Sequence, residues 1–230
     1  LDGVARYIFL INGARMEAYR SITASGTKNI SNGHYYRNNS QLKKDDLVLM
    51  DYAPDFRYYV SDIGRMWPVS GTYKPWQREL LQIILEYRNT ILDILRPGIT
   101  TDQVLEEARE QMKPLMRKYQ FSKNIYRKAA EKMIATGGGV LSHPVGLAVH
   151  DDGPYRNGPL KVGHVFAVDP QMWVPEENLY LRYEDTIVIT EEGMENFTDF
   201  LPSELNELED LVKQEGILQT VGADSMRWDY

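Results

Sequence analysis

Four carboxylates interrupt apolar, strand-like stretches of the chain, and one histidine accompanies them. The five residues are Asp51, Asp62, His143, Asp169 and Glu184. Burying a carboxylate among apolar side chains costs free energy unless a cation compensates its charge. A set of one imidazole and several carboxylates suits hard or borderline divalent ions such as manganese, cobalt, iron or zinc. Because the acids exceed what one ion needs for neutrality, we expect a pair of ions.

A pair of divalent ions would direct these residues toward the hydrolysis of an amide bond. A water between two such ions loses its proton near neutral pH and becomes a nucleophile. The same ions polarise a carbonyl group and neutralise the oxyanion that forms during attack. The expected activity is therefore metal-dependent hydrolysis.

Two hairpins would bring the four acids together. In an antiparallel hairpin, residues symmetric about the turn face each other on one side of the sheet. Asp51 and Asp62 are symmetric about Phe56–Arg57. Asp169 and Glu184 are symmetric about the turn of a second hairpin. The spacing therefore predicts two facing pairs of acids, contributed by two halves of one domain.

Bulk properties exclude several classes of function. The chain has 230 residues, a formal net charge of −7 and no long run of lysine or arginine, which disfavours nucleic-acid binding. It has no cysteine, which excludes disulfides and thiolate metal sites within it. Its longest apolar run, 7–11, is too short to span a bilayer, so no membrane partner is expected. These properties leave the compartment open, and we expect a cytoplasmic protein.

Hydrophobic periodicity and breaker residues predict helices and strands in separate groups. Helices are expected over 1–12, from 75 up to Pro97-Gly98, and over 101–119, 123–134 and 203–216. Strands are expected over 18–23, 47–51, 57–67, 146–150, 164–173 and 180–189, with a polar loop over 29–39. The result is one α+β catalytic domain over 1–230, ending in a polar tail at 217–230. The order of the elements suggests a duplicated unit whose first helices are missing from the N-terminus.

Each candidate residue also has a plainer interpretation. A single acid in a strand often lies on a solvated face, and Asp185, which points away from its neighbour by strand alternation, is assigned there. A lone histidine is more often a packed or surface residue than a ligand, and His164 is left in that group. His143 and His150 are separated by an odd number of residues. The chain must therefore bend near Gly146 if both histidines serve one site.

Several motifs around these residues resemble one family. The motifs are 18–26, His34-Tyr35-Tyr36-Arg37-Asn38, the spacing of Asp51 and Asp62, 142–151, and 182–190. Over about residues 5–216 the chain resembles the pita-bread metallopeptidases, in the branch of Xaa-Pro aminopeptidases and prolidases. The resemblance implies a fold in which pseudo-twofold duplicated helix–strand units surround a curved antiparallel sheet. It also implies an N-terminal domain and about two catalytic-domain helices upstream, which this chain lacks.

The resemblance implies a role for each metal-capable residue. Asp62 and Glu184 would bridge two divalent ions, Asp51 would bind one ion, and His143 with Asp169 would bind the other. Manganese is the expected metal, with cobalt, zinc or iron as alternatives. The nucleophile would be a hydroxide that bridges the two ions. Asp169 or Glu184 would shuttle its proton.

Four further residues would contact the substrate if the resemblance holds. His34 and His150 would hold the substrate carbonyl and the tetrahedral intermediate. Trp173 would line the site, and Arg182 would orient an acid ligand or bind substrate. The implied activity is that of an exopeptidase that removes an N-terminal residue ahead of proline or splits short dipeptides. The implied partners are a peptide substrate and either a second copy of the chain, as a dimer, or the missing N-terminal portion.

Two departures from the family pattern leave alternatives open. The family usually has Glu-Pro-Gly where this chain has Asp169-Pro170-Gln171, and aspartate is shorter by about 1.5 Å. The proline-specific branch has a histidine where this chain has Gly139, so proline preference is open. A non-hydrolytic relative, either a binding module or a metal-free enzyme like creatinase, is therefore the alternative. A methionine aminopeptidase is less favoured, because His34-Tyr35 is more typical of the prolidase branch.

Overall fold

The helices lie mainly in the middle of the chain, as the periodicity predicts. The computed structural model describes residues 1–153 and 155–220. Within them the helices are α1 (Asp2–Ile11), α2 (Thr27–Ile30), α3 (Pro75–Ile94), α4 (Thr101–Lys118), α5 (Asn124–Thr136), α6 (Leu205–Val212) and α7 (Ile217–Thr220). α2 begins within sequence that was not expected to be helical, and α6 is shorter than the helix predicted over 203–216. α7 occupies the start of the predicted tail, whose last residues, 221–230, lie outside the described residues.

Within the described residues, the strands form four small antiparallel groups. They are β1 (Met16–Glu17), β2 (Ile22–Ser25), β3 (Leu47–Asp51), β4 (Pro54–Phe56), β5 (Tyr59–Val60), β6 (Gly64–Pro68), β7 (Val165–Val168), β8 (Gln171–Val174), β9 (Leu179–Arg182), β10 (Asp185–Ile189) and β11 (Met194–Asn196). The strand orders are β2-β3-β6, β7-β10-β11, β1-β4-β5 and β8-β9. This mixture of helices and antiparallel sheet confirms the predicted α+β class.

Local sequence signals explain where the two long helices begin. Pro75 opens α3, and the Gln77 side chain accepts a hydrogen bond from the Lys74 backbone N–H at 2.8 Å. At the start of α4, the Thr100 hydroxyl accepts from the Gln103 N–H at 3.3 Å. α3, α4 and α5 pack against one another, and α3 and α5 also contact β9 and β8. The helices therefore support the hairpin of β8 and β9, which carries Gln171 and Arg182.

Three predicted long strands are each divided in two by the structure. The strand expected over 57–67 is divided between β5 and β6. The strand expected over 164–173 stops after β7 and resumes as β8, because Pro170 has no N–H to donate to the ladder. The strand expected over 180–189 is divided between β9 and β10. β8 pairs with β9, whereas β7 pairs with β10. The breaks therefore lie where the strands change partners, and both acids of the second predicted pair sit at these breaks.

The register of the first hairpin differs from the prediction by two residues. Asp51 pairs with Gly64 rather than with Asp62. The turn is centred on Arg57–Tyr58, where φ is 54° and 75°, instead of on Phe56–Arg57. The two positive φ values are those of a tight hairpin turn. Asp62 therefore lies in the connection between β5 and β6, just before β6 begins.

The second hairpin has the predicted register. Gln171 pairs with Arg182, which places the centre of the hairpin at Glu176–Glu177. Asp169 and Glu184 are therefore symmetric about that turn, although both lie one or two residues outside the paired strands. This symmetry brings the second pair of acids to the same end of the hairpin.

A reciprocal backbone bridge joins the first half of the domain, before α3, to the second half, after α5. The Gly64 N–H donates to the Glu184 carbonyl at 3.2 Å, and the Glu184 N–H donates to the Gly64 carbonyl at 3.0 Å. Next to it, the Asp62 N–H donates to Thr186 Oγ1 at 2.7 Å. A side chain at position 64 would be crowded, since a Cβ there would lie 3.0 Å from the Glu184 Cβ. The absence of a side chain at Gly64 thus permits the close approach.

The segment 146–150 is bent and is not the strand that the sequence analysis expected. The Asp151 carboxylate accepts from the Leu147 N–H at 2.7 Å, and the Asp151 N–H donates to the Pro144 carbonyl at 3.1 Å. These contacts close a compact loop in place of a ladder. In the part of the chain that the structure describes, every helix is too short or too polar to cross a bilayer.

Candidate metal centre

Four of the five predicted metal ligands, Asp51, Asp62, His143 and Glu184, belong to groups of side chains whose ligand atoms lie within 4.8 Å of one another. Asp169 is in neither group and is connected to the other acids through Arg182. The four carboxylates are buried, with exposed fractions of 4% or less, and they are Asp51, Asp62, Asp169 and Glu184. Oxygen atoms of Asp51, Asp62 and Glu184 all lie within 4.8 Å of one another. The His143 Nε2 lies 3.3 Å from Asp62 Oδ2 and 4.0 Å from Glu184 Oε1. Residues separated by more than 130 positions in the sequence therefore share one small volume.

Arg182 lies among the acids and contacts three of them. Its Nη1 donates to Asp51 Oδ2 at 2.9 Å, and its Nε donates to Asp169 Oδ1 at 2.9 Å. Its Nη2 lies 2.8 Å from Asp169 Oδ2 and also contacts Glu184 Oε2. Of the two roles expected for Arg182, this geometry fits the orientation of acid ligands.

Burial makes the negative charge of this cluster unfavourable. Desolvation raises the pKa of Asp51 to about 7 and that of Asp169 to about 6, even though the Arg182 guanidinium opposes both shifts. Desolvation, together with the charges of the other acids, also raises the pKa of Glu184. One guanidinium therefore does not compensate the whole cluster.

Asp62 and His143 behave as a pair. Burial alone would raise the pKa of Asp62, but hydrogen bonds from His143 and Tyr19 and the charge of Arg182 lower it. Burial alone would lower the pKa of His143, but the Asp62 carboxylate raises it. The Asp62 carboxylate thus favours the cationic form of His143. The same carboxylate would bind a metal ion together with His143.

The donor set fits a divalent metal ion. Among the described residues, Glu184 Oε1 is a buried oxygen without a hydrogen-bond partner, which is costly in a protein interior. Two groups of side chains have ligand atoms close enough for one ion: Asp51 with Asp62 and Glu184, and Asp62 with His143 and His150. Carboxylate oxygens and imidazole nitrogens suit manganese, cobalt, iron and zinc. The site could therefore hold metal ions, and Asp62 belongs to both groups.

A cavity of about 500 Å³ opens beside the acids. Asp51, His143, Asp169 and Arg182 line it together with Tyr19, Arg20, Ile22, His34, Tyr36, Ser142, Val149, His150 and Gln171. Both predicted substrate-contacting histidines, His34 and His150, lie at its exposed side. The volume is within the range of small-molecule sites.

The bend at 146–150 brings His150 to the cavity. The ring centroids of His143 and His150 are 4.1 Å apart, despite the odd spacing of the two residues in the sequence. Partial desolvation lowers the pKa of His34 and of His150, and the charges of Arg182 and His143, respectively, lower it further. Neutral imidazoles are therefore favoured near neutral pH, and each can donate one hydrogen bond.

Trp173 has a different environment from the other predicted site residues. It is not part of the cavity lining given above; its ring packs on Tyr180 with centroids 4.2 Å apart. It also lies over Gly33, where a Cβ would meet the indole at 3.4 Å. The structure thus places Trp173 next to the loop that carries His34, and its contact with substrate stays a prediction.

Tyr19 is a site residue that the sequence analysis did not single out. Its hydroxyl lies 2.7 Å from Asp51 Oδ1 and 2.8 Å from Asp62 Oδ1. Burial and the neighbouring acids raise its pKa well above the usual value, so the hydroxyl keeps its proton. Tyr19 lies within the motif 18–26, but the pattern of that motif alone does not distinguish it from the chain's other tyrosines.

The prediction that Asp185 lies on a solvated face is wrong. Asp185 is fully buried, and its carboxylate binds Arg65 NH2 at 2.7 Å, Arg88 Nε at 2.6 Å and the Thr198 hydroxyl at 2.6 Å. It does point away from Glu184, as strand alternation predicts. The sequence pattern did not indicate that α3, through Arg88, covers the opposite face of the strand.

Comparison with known proteins identifies relatives of this chain. Residues 1–191 match the family described as "Metallopeptidase family M24". The chain is 35% identical to Xaa-Pro aminopeptidase of Escherichia coli (strain K12) over 231 residues, which covers 92% of this chain and 51% of that protein. It is 31% identical to Xaa-Pro aminopeptidase 3 of Homo sapiens over 217 residues, which covers 88% of this chain and 42% of that protein.

Solved structures of aminopeptidase P also match this chain. The structure of aminopeptidase P from E. coli with the inhibitor Pro-Leu matches with a TM-score of 0.77 and 33% identity, over 91% of this chain and 51% of that one. A structure described as a putative aminopeptidase P from Bacillus anthracis matches with a TM-score of 0.76 and 27% identity, over 92% and 49%. The chain thus spans about half the length of the relatives it matches.

Proposed function

The chain belongs to metallopeptidase family M24, and we propose that it is the catalytic part of a metal-dependent aminopeptidase that removes the N-terminal residue of peptides, preferentially ahead of proline. The expected α+β pita-bread fold is confirmed by the similarity to aminopeptidase P. One observation carries the proposal: four buried carboxylates and His143 meet beside a cavity, and Glu184 Oε1 has no partner among the described residues.

In this proposal, two divalent ions are held by Asp51, Asp62, His143, Asp169 and Glu184. Asp62 would be shared by the two ions, because it belongs to both groups of potential ligands, and Glu184 would be the second shared ligand, as the family resemblance implies. When bound, such ions lower the pKa of water and polarise a carbonyl group. Manganese is the proposed metal, and the two-ion stoichiometry is part of the proposal.

The protein's own residues would bind the peptide and move the proton. His34 and His150, at the exposed side of the cavity, would donate hydrogen bonds to the scissile carbonyl and to the oxyanion that replaces it. Asp169 lines the cavity, so we assign it the proton transfer in preference to Glu184, which lies deeper. Arg182 would keep Asp51, Asp169 and Glu184 in place.

The preference for proline rests on the names of the relatives. Relatives at 31–35% identity are Xaa-Pro aminopeptidases. Gly139 has no side chain at the position where the proline-specific branch has a histidine. We therefore propose proline preference as a property to be measured separately from hydrolysis itself.

Metal analysis and peptide cleavage test the proposal. After treatment with a chelator and reloading with Mn²⁺, the chain is expected to bind about two ions and to hydrolyse Xaa-Pro peptides with a free N-terminus. Asp62→Asn should lower the rate at least about 100-fold, because it removes a ligand itself and not an outer partner. Asp93→Asn, an exposed acid on α3, should leave metal content and rate unchanged.

Two results would contradict this proposal. The first is a protein that retains no Mn²⁺ after loading. The second is a metal-loaded protein that cleaves N-acetylated and free peptides equally, which would exclude an aminopeptidase. Faster cleavage of initiator-methionine peptides than of Xaa-Pro peptides would reject only the proline preference.

The metal-free alternative has one observation in its favour. Arg182 already binds three of the four acids, as an internal cation of a binding module or of a creatinase-like enzyme would. The raised pKa values of Asp51 and Asp169 argue against full compensation by this residue. The alternative predicts a melting temperature that Mn²⁺ does not change.

Dimer formation, association with an upstream portion and a cytoplasmic location also stay predictions.

A further inference from the structure

Three neighbouring residues beside the cavity differ from the family pattern, and two of them, Asp169 and Gln171, line it. The three are Gly139, Asp169 and Gln171. The Asp169 N–H donates to the Gly139 carbonyl at 3.2 Å, and the Gln171 N–H donates to the Gly138 carbonyl at 3.2 Å. The loop after α5 therefore runs directly along the connection between β7 and β8. A change at one of these positions meets the other two.

Position 139 is closed to side chains in this arrangement. Gly139 has a φ of 74°, and a Cβ there would lie 2.2 Å from the Asp169 carbonyl oxygen. The same Cβ would lie 2.7 Å from Cγ and 2.8 Å from Cδ of Gln171. The Gln171 side chain thus packs over the face of Gly139 from which any other residue's side chain would extend.

Gln171 also reaches the carboxylate of Asp169. Its Nε2 donates a hydrogen bond to Asp169 Oδ2, while Arg182 Nε donates to Asp169 Oδ1 at 2.9 Å. Gln171 pairs with Arg182 across the β8–β9 hairpin, so both donors are held by the same two strands. Gln171 lines the cavity together with Asp169. The carboxylate is therefore fixed from two directions.

From these contacts we propose that Gln171 is a positioning residue that holds the short Asp169 side chain in place for metal binding, and that positions 169 and 171 act as a coupled pair. The proposal rests on the proposed function, because Asp169 is a ligand only if the site binds metal. A glutamate at position 169 would extend about 1.5 Å further, into the space that the Gln171 amide occupies. Aspartate thus fits with glutamine at position 171, and glutamate fits with glycine.

A double-mutant cycle tests the coupling, with Mn²⁺ affinity measured by titration calorimetry. Gln171→Met keeps the length of the side chain but removes the donor, and it should weaken Mn²⁺ binding about tenfold, as expected for an outer partner of a ligand. Gln171→Gly should weaken binding similarly. Asp169→Glu alone should also weaken it, because the longer carboxylate meets Gln171. The double variant Asp169→Glu/Gln171→Gly should return to within about threefold of the wild-type affinity.

Each result decides between a positioning role and simple filling of space. If the fold-changes in Mn²⁺ affinity caused by Asp169→Glu and by Gln171→Gly simply multiply in the double variant, the coupling is overturned. A Gln171→Met variant with wild-type affinity would overturn the positioning role, and it remains informative if the glycine variant does not fold. Gln82→Met, on α3, is the matched control and should bind Mn²⁺ normally. Wild-type protein that binds no Mn²⁺ would overturn the proposed function together with this inference, whereas normal wild-type binding with an uncoupled cycle would overturn this inference alone.

Discussion

At the scale of single residues, the site depends on groups that hold the acids as much as on the acids themselves. The Tyr19 hydroxyl lies within hydrogen-bond distance of both Asp51 and Asp62 and so fixes their separation. Arg182 does the same for Asp51, Asp169 and Glu184. A ligand set that is fixed before the metal binds loses less entropy on binding.

Replacing Tyr19 by phenylalanine should therefore weaken Mn²⁺ binding about tenfold, because two carboxylates lose a shared partner. The fold should be retained, since the ring remains. Tyr87→Phe is the matched control: within the described residues the Tyr87 hydroxyl is buried without a partner, so its removal should not lower stability or affinity. Calorimetric titration of both variants checks the expectation. Equal affinities for Tyr19→Phe and wild type would show that the hydroxyl does not organise the ligands.

At the scale of elements, the site is assembled where β6 meets the connection between β9 and β10. The reciprocal hydrogen bonds of Gly64 and Glu184 join the two halves of the domain at this point. Asp62 lies just before β6 and Glu184 just before β10, so the bridge sets the distance between them. Close approach of the two backbones is required here, and a glycine permits it.

A methyl group at position 64 should disturb this junction. In Gly64→Ala the new Cβ would lie 3.0 Å from the Glu184 Cβ and 3.2 Å from its Oε2. We expect a loss of about 1–3 kcal/mol in the free energy of unfolding and weaker Mn²⁺ binding. Gly3→Ala, on the exposed surface of α1 with open space around it, should be neutral or slightly stabilising. Denaturant unfolding of the two variants compares them, and equal stability would show that the junction adapts freely.

A second junction joins β10 to α3 and β6 through Asp185. Burial alone would raise the pKa of Asp185, but the guanidinium groups of Arg65 and Arg88 and the hydroxyl of Thr198 lower it to about 2. Because the folded pKa lies below the value of about 3.9 for an unfolded aspartate, the ionised carboxylate stabilises the fold above pH ~4. That contribution is lost as the pH falls from about 4 to about 2.

Asp185→Asn should therefore cost stability in a pH-dependent manner. At pH 6 the loss should be about 3–5 kcal/mol, because two buried guanidinium groups lose their partner. The difference from wild type should become smaller by about 2–3 kcal/mol as the pH falls toward 2. Melting curves recorded across this range in the presence of chelator check the trend. Asp93→Asn should follow the wild-type curve, and a difference for Asp185→Asn that is constant with pH would contradict the assignment.

At the scale of the whole molecule, metal binding would connect parts of the chain that are far apart in the sequence. The proposed ligands extend from Asp51 to Glu184 and come from both halves of the domain. An ion that binds only the folded state stabilises it by mass action, by about 2.7 kcal/mol when its concentration is 100 times its dissociation constant. The buried acids should therefore make stability strongly dependent on metal.

Addition of Mn²⁺ to chelator-treated protein should raise the melting temperature by several degrees, and the shift should grow with concentration. A stronger chelator should reverse it. In Asp62→Asn the shift should be nearly lost, because Asp62 contributes to both groups of potential ligands. A melting temperature that does not respond to Mn²⁺, Co²⁺, Zn²⁺ or Fe²⁺ would reject the metal site and favour the metal-free alternative.

The sequence by itself determined the long helices, the α+β class and the acids that converge. α3 and α4 have an apolar period and capping residues within a few positions, so local interactions specify them. The four carboxylates among the proposed ligands were found because such groups in apolar strands are costly without a cation, whereas His143 was distinguished from the other histidines by its context. The second hairpin has its predicted register because a short 3₁₀ turn, Pro175–Glu177, connects its strands, so local interactions specify it as well.

The tertiary structure alone decided the features that depend on contacts far apart in the sequence. The register of the first hairpin, the burial of Asp185 and the contact of Gln171 with Gly139 were not predicted, and the bend near Gly146 was expected only on the condition that His143 and His150 serve one site. Arg65 and Asp185 are 120 residues apart, and Asp62 and Thr186 are 124 apart. A local pattern indicates which face of a strand is apolar, but it does not indicate which distant side chain will cover the other face. That pairing is fixed only when the two halves pack together.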